Sequence, residues 1–339
     1  MQISLAPLEG VTGYTVRNAF YHNFGGIDTY YTPFISAGKR LRKKGIRDVL
    51  PENNEGIHLI PQLMSNRAEE VINMGKQLAV LGYDTINLNL GCPSGTVTSK
   101  KRGSGLLLYP KELDCFLEEV YSRTDMKVSV KTRIGFHSPD EWQAILEIYR
   151  KYPLDELIVH PRVREEFYKG VPHWDSFALA YDLYCGDCHP VADTNADQSL
   201  CATAQTPLCY NGDINSVTDY QALIERFPRL DHVMIGRGLL GHPGLALQIK
   251  ELSEGRKLTP EEYRGRIVAF HDEILSGFLS IFSGEKDAMI HMKEIWGFLG
   301  NSFENVEKPL KKIRKAQCYA EYKLIVNELF CNTAKYPIV

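Results

Sequence analysis

The 339-residue sequence has no run of eighteen apolar residues, so a helix that crosses a bilayer is not expected. Its opening, MQISLAPLEG, lacks the basic start and long apolar stretch of a secretory signal. A cytoplasmic protein without a membrane partner is the expectation. Charge of one sign is not in excess: 39 Lys and Arg against 42 Asp and Glu leave a net charge of −3. That excludes a globally basic nucleic-acid coat and leaves room for local patches. Cysteine is sparse too. Eight in a chain of this length do not make a disulfide scaffold, and a reducing compartment fits. What is present, 44% hydrophobic and 24% charged residues, suffices for a sizeable core in one large domain, or in a large one and a small one.

Four of the cysteines, Cys185, Cys188, Cys201 and Cys209, fall close together, and Cys185-Gly-Asp-Cys-His189 has the spacing of a haem-attachment motif. Without a secretion signal, covalent haem is set aside. A zinc ion on this set stays the lesser alternative because the second pair is poorly spaced. No metal is expected, and Cys185–Thr206, rich in Gly, Asp, Pro, Asn, Ser and Thr, reads as a surface loop. Two basic stretches stand out: Lys39–Arg47 with six positive charges in nine residues, and Lys308–Lys315 with five in eight. Each taken alone reads as a solvated face.

Short strand-like blocks recur along the chain, at Ile3–Leu8, Thr29–Ile35, His58–Met64, Thr85–Leu90, Val128–Arg133, Glu156–His160, Leu208–Asn211 and His232–Ile235. Helical patterns separate most of them: Thr12–Phe24, Arg67–Leu81, Lys111–Ser122, Pro139–Tyr152, Trp174–Tyr184 and Ser216–Phe227, with Pro243–Leu252 after the last strand. The polar, basic link from Lys39 to Gly56 is expected to be a loop. Eight strands alternating with helices predict a closed parallel α/β barrel, a (β/α)8 TIM barrel, over residues 1–252. An open doubly wound sheet is the runner-up. Beyond Lys257 the strand pattern stops, and Pro260–Leu279, Lys286–Phe298 and Val306–Leu329 predict a small helical domain over 257–335.

In such a barrel the chemistry sits where strands end. The tips carry Ala6-Pro-Leu-Glu-Gly10, Gln62, Asn89 and Cys92, Lys131 and Arg133, His160 and Arg162, Asn211-Gly-Asp213, and Gly236-Arg-Gly238. Any one of them reads as a satisfied structural polar group, but polar residues at so many tips converge on one pocket. Glycines after strands seven and eight let backbone N–H groups approach an anion, and Arg237 adds a forked donor. Gln62 and Asn89 suit the imide edge of a flat heterocycle. Lys131 would place a positive charge beside an anionic reduced flavin. Together these point to a barrel for flavin mononucleotide (FMN).

The ordered set Ala6-Pro-Leu-Glu-Gly-Val11, Pro61-Gln62, Asn87-Leu-Asn-Leu-Gly-Cys-Pro93, Lys131-Thr-Arg133, His160-Pro-Arg162, Asn211-Gly-Asp213 and Gly236-Arg-Gly238 resembles the tRNA-dihydrouridine synthases. His291-Met-Lys293 and Trp296 resemble that family's helical tail. The resemblance implies an FMN barrel fused to an RNA-binding helical domain, reducing the C5–C6 bond of particular uridines in tRNA, with NADPH re-reducing the flavin. By position, Pro7, Leu8 and Glu9 would line the flavin, and Gln62, Lys131 and His160 would meet its ring or ribityl chain. Asn211, Gly212, Asp213, Gly236 and Arg237 would hold its phosphate end. Asn89 would orient the uracil, with Arg133 and Arg162 on the substrate side. Cys92 would be the proton donor.

That last role is chemically reasonable: a thiol with a pKa of about 8.5 is mostly protonated at neutral pH and can give its proton to C5. The target base must leave its stack to reach the pocket, and the rest of the RNA would be held through its phosphates. Candidate contacts are Lys39, Arg40, Lys100, Lys101, Arg102, Lys293, Lys311, Lys312 and Arg314, on a chain expected to act as a monomer. The alternatives are a dihydroorotate-dehydrogenase-like FMN enzyme on a free pyrimidine and an RNA-binding barrel without catalysis. A zinc-dependent hydrolase lacks clustered ligands at the strand tips.

Overall fold

The computed structural model describes residues 1–38, 40–41, 43–185, 206–252 and 258–331. Ten parallel strands form one sheet: β1 (Gln2–Leu5), β2 (Thr29–Tyr31), β3 (Ile35–Ser36), β4 (Leu59–Ile60), β5 (Gln62–Met64), β6 (Thr85–Leu90), β7 (Lys127–Gly135), β8 (Leu157–Val163), β9 (Leu208–Tyr210) and β10 (His232–Ile235). The count exceeds the expected eight because prolines break two strands. Pro33 separates β2 from β3 and Pro61 separates β4 from β5, and a residue without an N–H interrupts a ladder. β2 pairs with β4 and β3 with β5, so the halves make one strand pair and the sheet closes into the (β/α)8 barrel.

Eight of the barrel's helices lie between strands: α1 (Tyr14–Asn23), α2 (Lys43–Val49), α3 (Ala68–Val80), α4 (Gly95–Thr98), α5 (Pro110–Arg123), α6 (Trp142–Tyr149), α7 (Trp174–Cys185) and α8 (Val217–Arg226). α9 (Arg237–Gly241) and α10 (Leu245–Glu251) follow β10. The link from Lys39 to Gly56, expected as a loop, contains α2 and a 3-10 turn at Pro51–Asn53. The predicted surface loop, Cys185–Thr206, falls almost wholly outside the described residues, with Cys188 and Cys201.

Strand parity sorts the side chains. Ala6, Tyr31, Ile60, Ile158, Cys209 and Met234 form a small apolar layer inside the barrel, separate from the main core between sheet and helices. Beneath it, towards the strand starts, lies a buried polar network. The Tyr31 hydroxyl donates to Glu156 Oε2 at 2.9 Å, His232 Nδ1 pairs with Glu156 Oε1, and Ser4 Oγ bonds His232 Nε2 at 2.7 Å. This network plugs the end of the barrel opposite the site.

Four further helices follow among the described residues: α11 (Pro260–Ile281), α12 (Glu285–Leu299), α13 (Glu307–Lys315) and α14 (Tyr319–Cys331). α11 starts with a capping box, Thr259 and Glu262 exchanging bonds with each other's backbone N–H. It packs on α1, where the Phe20 and Phe270 rings meet edge to face at 4.8 Å. Inside this unit the Tyr322 hydroxyl joins His271 Nε2 at 2.8 Å and Trp296 Nε1 at 2.9 Å. The boundary expected at 252–257 coincides with residues 253–257, outside the described set. No described helix is long and apolar enough to cross a membrane.

Candidate active site

A cavity of about 590 Å³ opens at the C-terminal ends of the strands. Of the residues predicted for it, Pro7, Leu8, Glu9, Asn89, Cys92, Lys131, Arg133, His160, Asn211, Gly212, Asp213, Gly236 and Arg237 line it. Period-two alternation brings Asn87 and Asn89 of β6, Lys131 and Arg133 of β7, and His160 and Arg162 of β8 to the barrel interior.

The Cys92 loop is fixed from several sides. Asn89 Oδ1 accepts from the N–H groups of Gly91 (3.2 Å) and Cys92 (2.9 Å). Its Nδ2 donates to Gln62 Oε1 at 2.7 Å, and Gln62 Nε2 donates to Asn87 Oδ1 at 2.8 Å. The carbonyl of Cys92 accepts from both the N–H (3.1 Å) and the hydroxyl (2.8 Å) of Ser104. Gly103, at φ +55°, makes that approach possible, since a Cβ there would stand 2.8 Å from the same carbonyl oxygen. Arg133 Nε donates to Gly91 O at 3.0 Å, and Arg164 Nε to Pro93 O at 3.0 Å. Burial pushes the Cys92 thiol above its ordinary pKa, outweighing a bond from the Ser94 backbone and the nearby cations Arg133 and Lys131.

Lys131 is the cavity's unmatched charge. Among the described residues its ammonium meets no carboxylate and makes no hydrogen bond. Burial, with Arg133 adding repulsion, lowers its pKa to about 8. His160 sits among cations. Burial first, then Arg133, Lys131, Arg162 and Arg237, hold its pKa well below the usual range, so the ring is neutral. Its Nε2 lies 3.3 Å from Arg162 Nη1 and accepts, which leaves the proton on Nδ1. Asp213 takes Arg162 through both oxygens, at 3.1 and 2.5 Å, and Arg237 at 2.8 Å. Gly238 abuts the chain so closely that a Cβ would fall 1.9 Å from Ile214 O.

Several predicted contacts are placed differently. Gln62 is fully buried and does not line the cavity; its amide supports Asn89 instead. Arg133 spends its guanidinium on the carbonyls of Gly91, Val163 and Phe167. Arg162 spends its own on Lys169 O, Gly170 O and Asp213. Both brace loops; the N–H groups of Arg162 are all engaged, whereas Arg133, which also lines the cavity, keeps a second N–H on each terminal nitrogen. Lys101 pairs with Glu112 at 2.7 Å, Arg102 with Glu70 at 3.1 Å, and Lys293 caps the carbonyls of Arg314 and Ala316. Arg40, Lys100, Lys311, Lys312 and Arg314 are exposed, and Lys39 lies outside the described residues.

Sequence reasoning missed Phe167 and Tyr168, which line the cavity, and Arg164, which is bonded to Pro93 beside it. Phe167 has φ +52°, a strained value for a bulky residue. The Tyr168 ring stacks beside His160 at 6.0 Å, under the Arg237 guanidinium at 4.5 Å. None of the three had a signal in the strand pattern, because β8 ends at Val163 and its ladder shifts register after His160. Glu156, Cys209 and His232 lie close enough together to hold a metal ion. Both His232 nitrogens and both Glu156 oxygens are already bonded within the protein, and the arrangement is complete as a hydrogen-bond network.

The family model described as dihydrouridine synthase matches residues 4–179 and 189–324. The tRNA-dihydrouridine(16) synthase of Pseudomonas putida is 30% identical over 269 residues, 77% of this chain and 76% of that one. A probable tRNA-dihydrouridine synthase of Staphylococcus aureus is 29% identical over 242 residues, covering 70% and 68%, and one of Staphylococcus epidermidis is 28% identical over 298 residues, covering 87% and 82%. Among solved structures, histamine dehydrogenase from Rhizobium sp. 4-9 superposes with a TM-score of 0.51 at 12% identity, over 80% of this chain and 49% of that one, a likeness of fold alone. With the family model spanning most of the barrel and the helical tail, this chain belongs to the dihydrouridine synthase family.

Proposed function

We propose that this chain is a tRNA-dihydrouridine synthase that reduces the C5–C6 bond of a uridine in tRNA, with FMN in the cavity and NADPH as reductant. The observation that carries this is a protonated thiol, Cys92, clamped at the mouth of a cavity that contains an unpaired cation, Lys131. The residues suit a flavin: a cation without a counter-ion favours an electron-rich ring edge, and neutral His160 offers a hydrogen bond without adding charge. Bound there, FMN would supply the hydride that adds to uracil C6.

The protein's own part is the proton. Hydride addition leaves negative charge conjugated through C5 and the C4 carbonyl. Cys92 Sγ delivers its proton to C5, and the thiolate then regains one from solvent. Raising the thiol pKa by burial serves this role, because the acid form must persist until the hydride arrives. Asn89 holds the loop through the Gly91 and Cys92 N–H groups, so Sγ is oriented before substrate enters. Arg237, with the backbone around Gly236 and Gly238, would face the flavin phosphate, with Asp213 aligning the arginine. Lys311, Lys312 and Arg314, exposed along α13, would meet tRNA phosphates.

The purified protein should be yellow and, given NADPH and unmodified tRNA, form dihydrouridine; orotate should not substitute for the RNA. Cys92→Ala should bind flavin normally and lose about 10²- to 10³-fold in rate, as expected for removal of a general acid. In the wild type the rate should fall at alkaline pH as the raised thiol ionises. A Cys92→Ala protein with full flavin and a wild-type rate of dihydrouridine formation would refute the assignment.

A further inference from the structure

We infer that Arg164 grips a phosphate of the target nucleotide, which rests on the tRNA-dihydrouridine synthase function proposed above. Arg164 follows directly on β8 as the first residue of a 3-10 turn, Arg164–Glu166, which turns it to the loop after β6. Its Nε donates to Pro93 O at 3.0 Å, which ties the guanidinium to the residue next to Cys92. The guanidinium carbon lies 5.1 Å from the Phe136 ring centroid and 5.0 Å from that of Phe167, so aromatic faces hold its plane.

The two terminal nitrogens are uncommitted. Among the described residues neither donates a hydrogen bond and neither meets a carboxylate. The adjacent acids are engaged elsewhere, Glu165 with His137 at 2.9 Å and Glu166 with His173 at 2.7 Å. Nη2 lies 3.9 Å from where a Cβ on Gly95 would stand, beside a stretch that lines the cavity. The other arginines here differ. Arg133 and Arg162 use their nitrogens on loop carbonyls and Asp213, and Arg237 is paired with Asp213. A planar fork, pre-set by one bond and two rings and with two donors free, matches two oxygens of a phosphate.

Position selects which phosphate. The glycines and arginine suited to the flavin's phosphate lie on the β9 and β10 side, whereas Arg164 touches the loop that carries the thiol. A base turned out towards Cys92 leaves its sugar and phosphate at the mouth of the cavity. Phosphate contacts set register, so a grip at Arg164 would fix how deeply the uracil enters. Because the same guanidinium holds Pro93, phosphate binding and thiol placement share one side chain.

The test uses flavin-loaded Arg164→Gln and Arg164→Lys proteins and an unmodified tRNA transcript, with Kd measured across salt concentrations beside steady-state rates. Arg164→Gln should raise Kd and KM about tenfold, one charge-assisted contact. It should also reduce the slope of log K against log salt by about 0.7 to 0.9, one phosphate's share. Arg164→Lys should restore the slope and only part of the affinity, since an ammonium cannot form the fork. Flavin absorbance and thermal midpoint report folding. If Arg164→Gln does not fold, weaker binding by Arg164→Lys at an unchanged slope supports the inference, and unchanged binding overturns it. An unchanged Kd and slope in folded Arg164→Gln, with or without a lower kcat, overturns it too, because Arg164 would then only hold the Pro93 loop. A wild-type protein that neither binds the transcript nor forms dihydrouridine would sink the proposed function itself, a different result from an active wild type with an indifferent Arg164→Gln.

Discussion

Replacing Lys131 by Met should make the flavin-free protein more stable while abolishing its function. The ammonium is lowered from 10.5 to about 8 chiefly by burial, and Arg133 adds repulsion. At about 1.4 kcal/mol per pKa unit, holding this charge at neutral pH costs the folded state up to about 3 kcal/mol. Solvent reaching the open cavity reduces that to about 1–3 kcal/mol. The sign follows from proton counting. Between pH 8 and 10.5 the unfolded chain keeps the Lys131 proton and the folded chain has lost it, so this residue makes stability rise with pH across that window. Below pH 8 both states are charged and the full cost of burial remains. Methionine is similar in length and carries no charge, so the variant should lose the pH-dependent rise and be more stable at pH 7. Urea denaturation of flavin-free wild type and Lys131→Met, from pH 6 to 10.5, measures both quantities. Flavin affinity and dihydrouridine formation should drop at the same time, because the site loses its unpaired cation. A variant that is less stable at pH 7, or that retains the wild-type rise above pH 8, would refute the claim that Lys131 is a buried charge held for a ligand.

Two further outcomes follow from other parts of the molecule. Glu156→Gln removes one partner of the buried His232 pair and should cost about 3 kcal/mol; a lower urea midpoint with KM for tRNA unchanged would separate this plug from the site above it. Neutralising Lys311, Lys312 and Arg314 together should weaken tRNA binding and lower the salt slope by about 2 to 3, and an unchanged slope would remove α13 from the RNA surface.

How much of this was legible beforehand depended on whether the information was local. The barrel was, because alternation along each strand and the recurrence of strand and helix patterns are properties of neighbouring residues. Parity alone brought His160 and Arg162 to the interior, and the glycines after β9 and β10 marked close backbone approach. The two broken strands were written at Pro33 and Pro61, although pattern reading passed over them. What parity cannot specify is the partner. Arg133 and Arg162 looked like substrate contacts because both are cationic and sit at strand tips, yet both brace loops, Arg133 through the carbonyls of Gly91, Val163 and Phe167 and Arg162 through Lys169 O, Gly170 O and Asp213. Gln62 looked like a ring contact and is instead one link in a chain of amides beneath Asn89.

The sequence by itself determined the order of elements, the side of the sheet on which each polar residue lies, and the cysteine at the end of β6. Tertiary structure decided which of those charges are spent and which are free. Carbonyls and carboxylates from distant loops engage Arg133, Arg162, Lys101 and Arg102. Among the described residues, Lys131 and the terminal nitrogens of Arg164 are left without hydrogen-bond or carboxylate partners. That distinction depends on distances between residues remote in the chain, and in this protein it separates the residues that brace the site from those available to act in it.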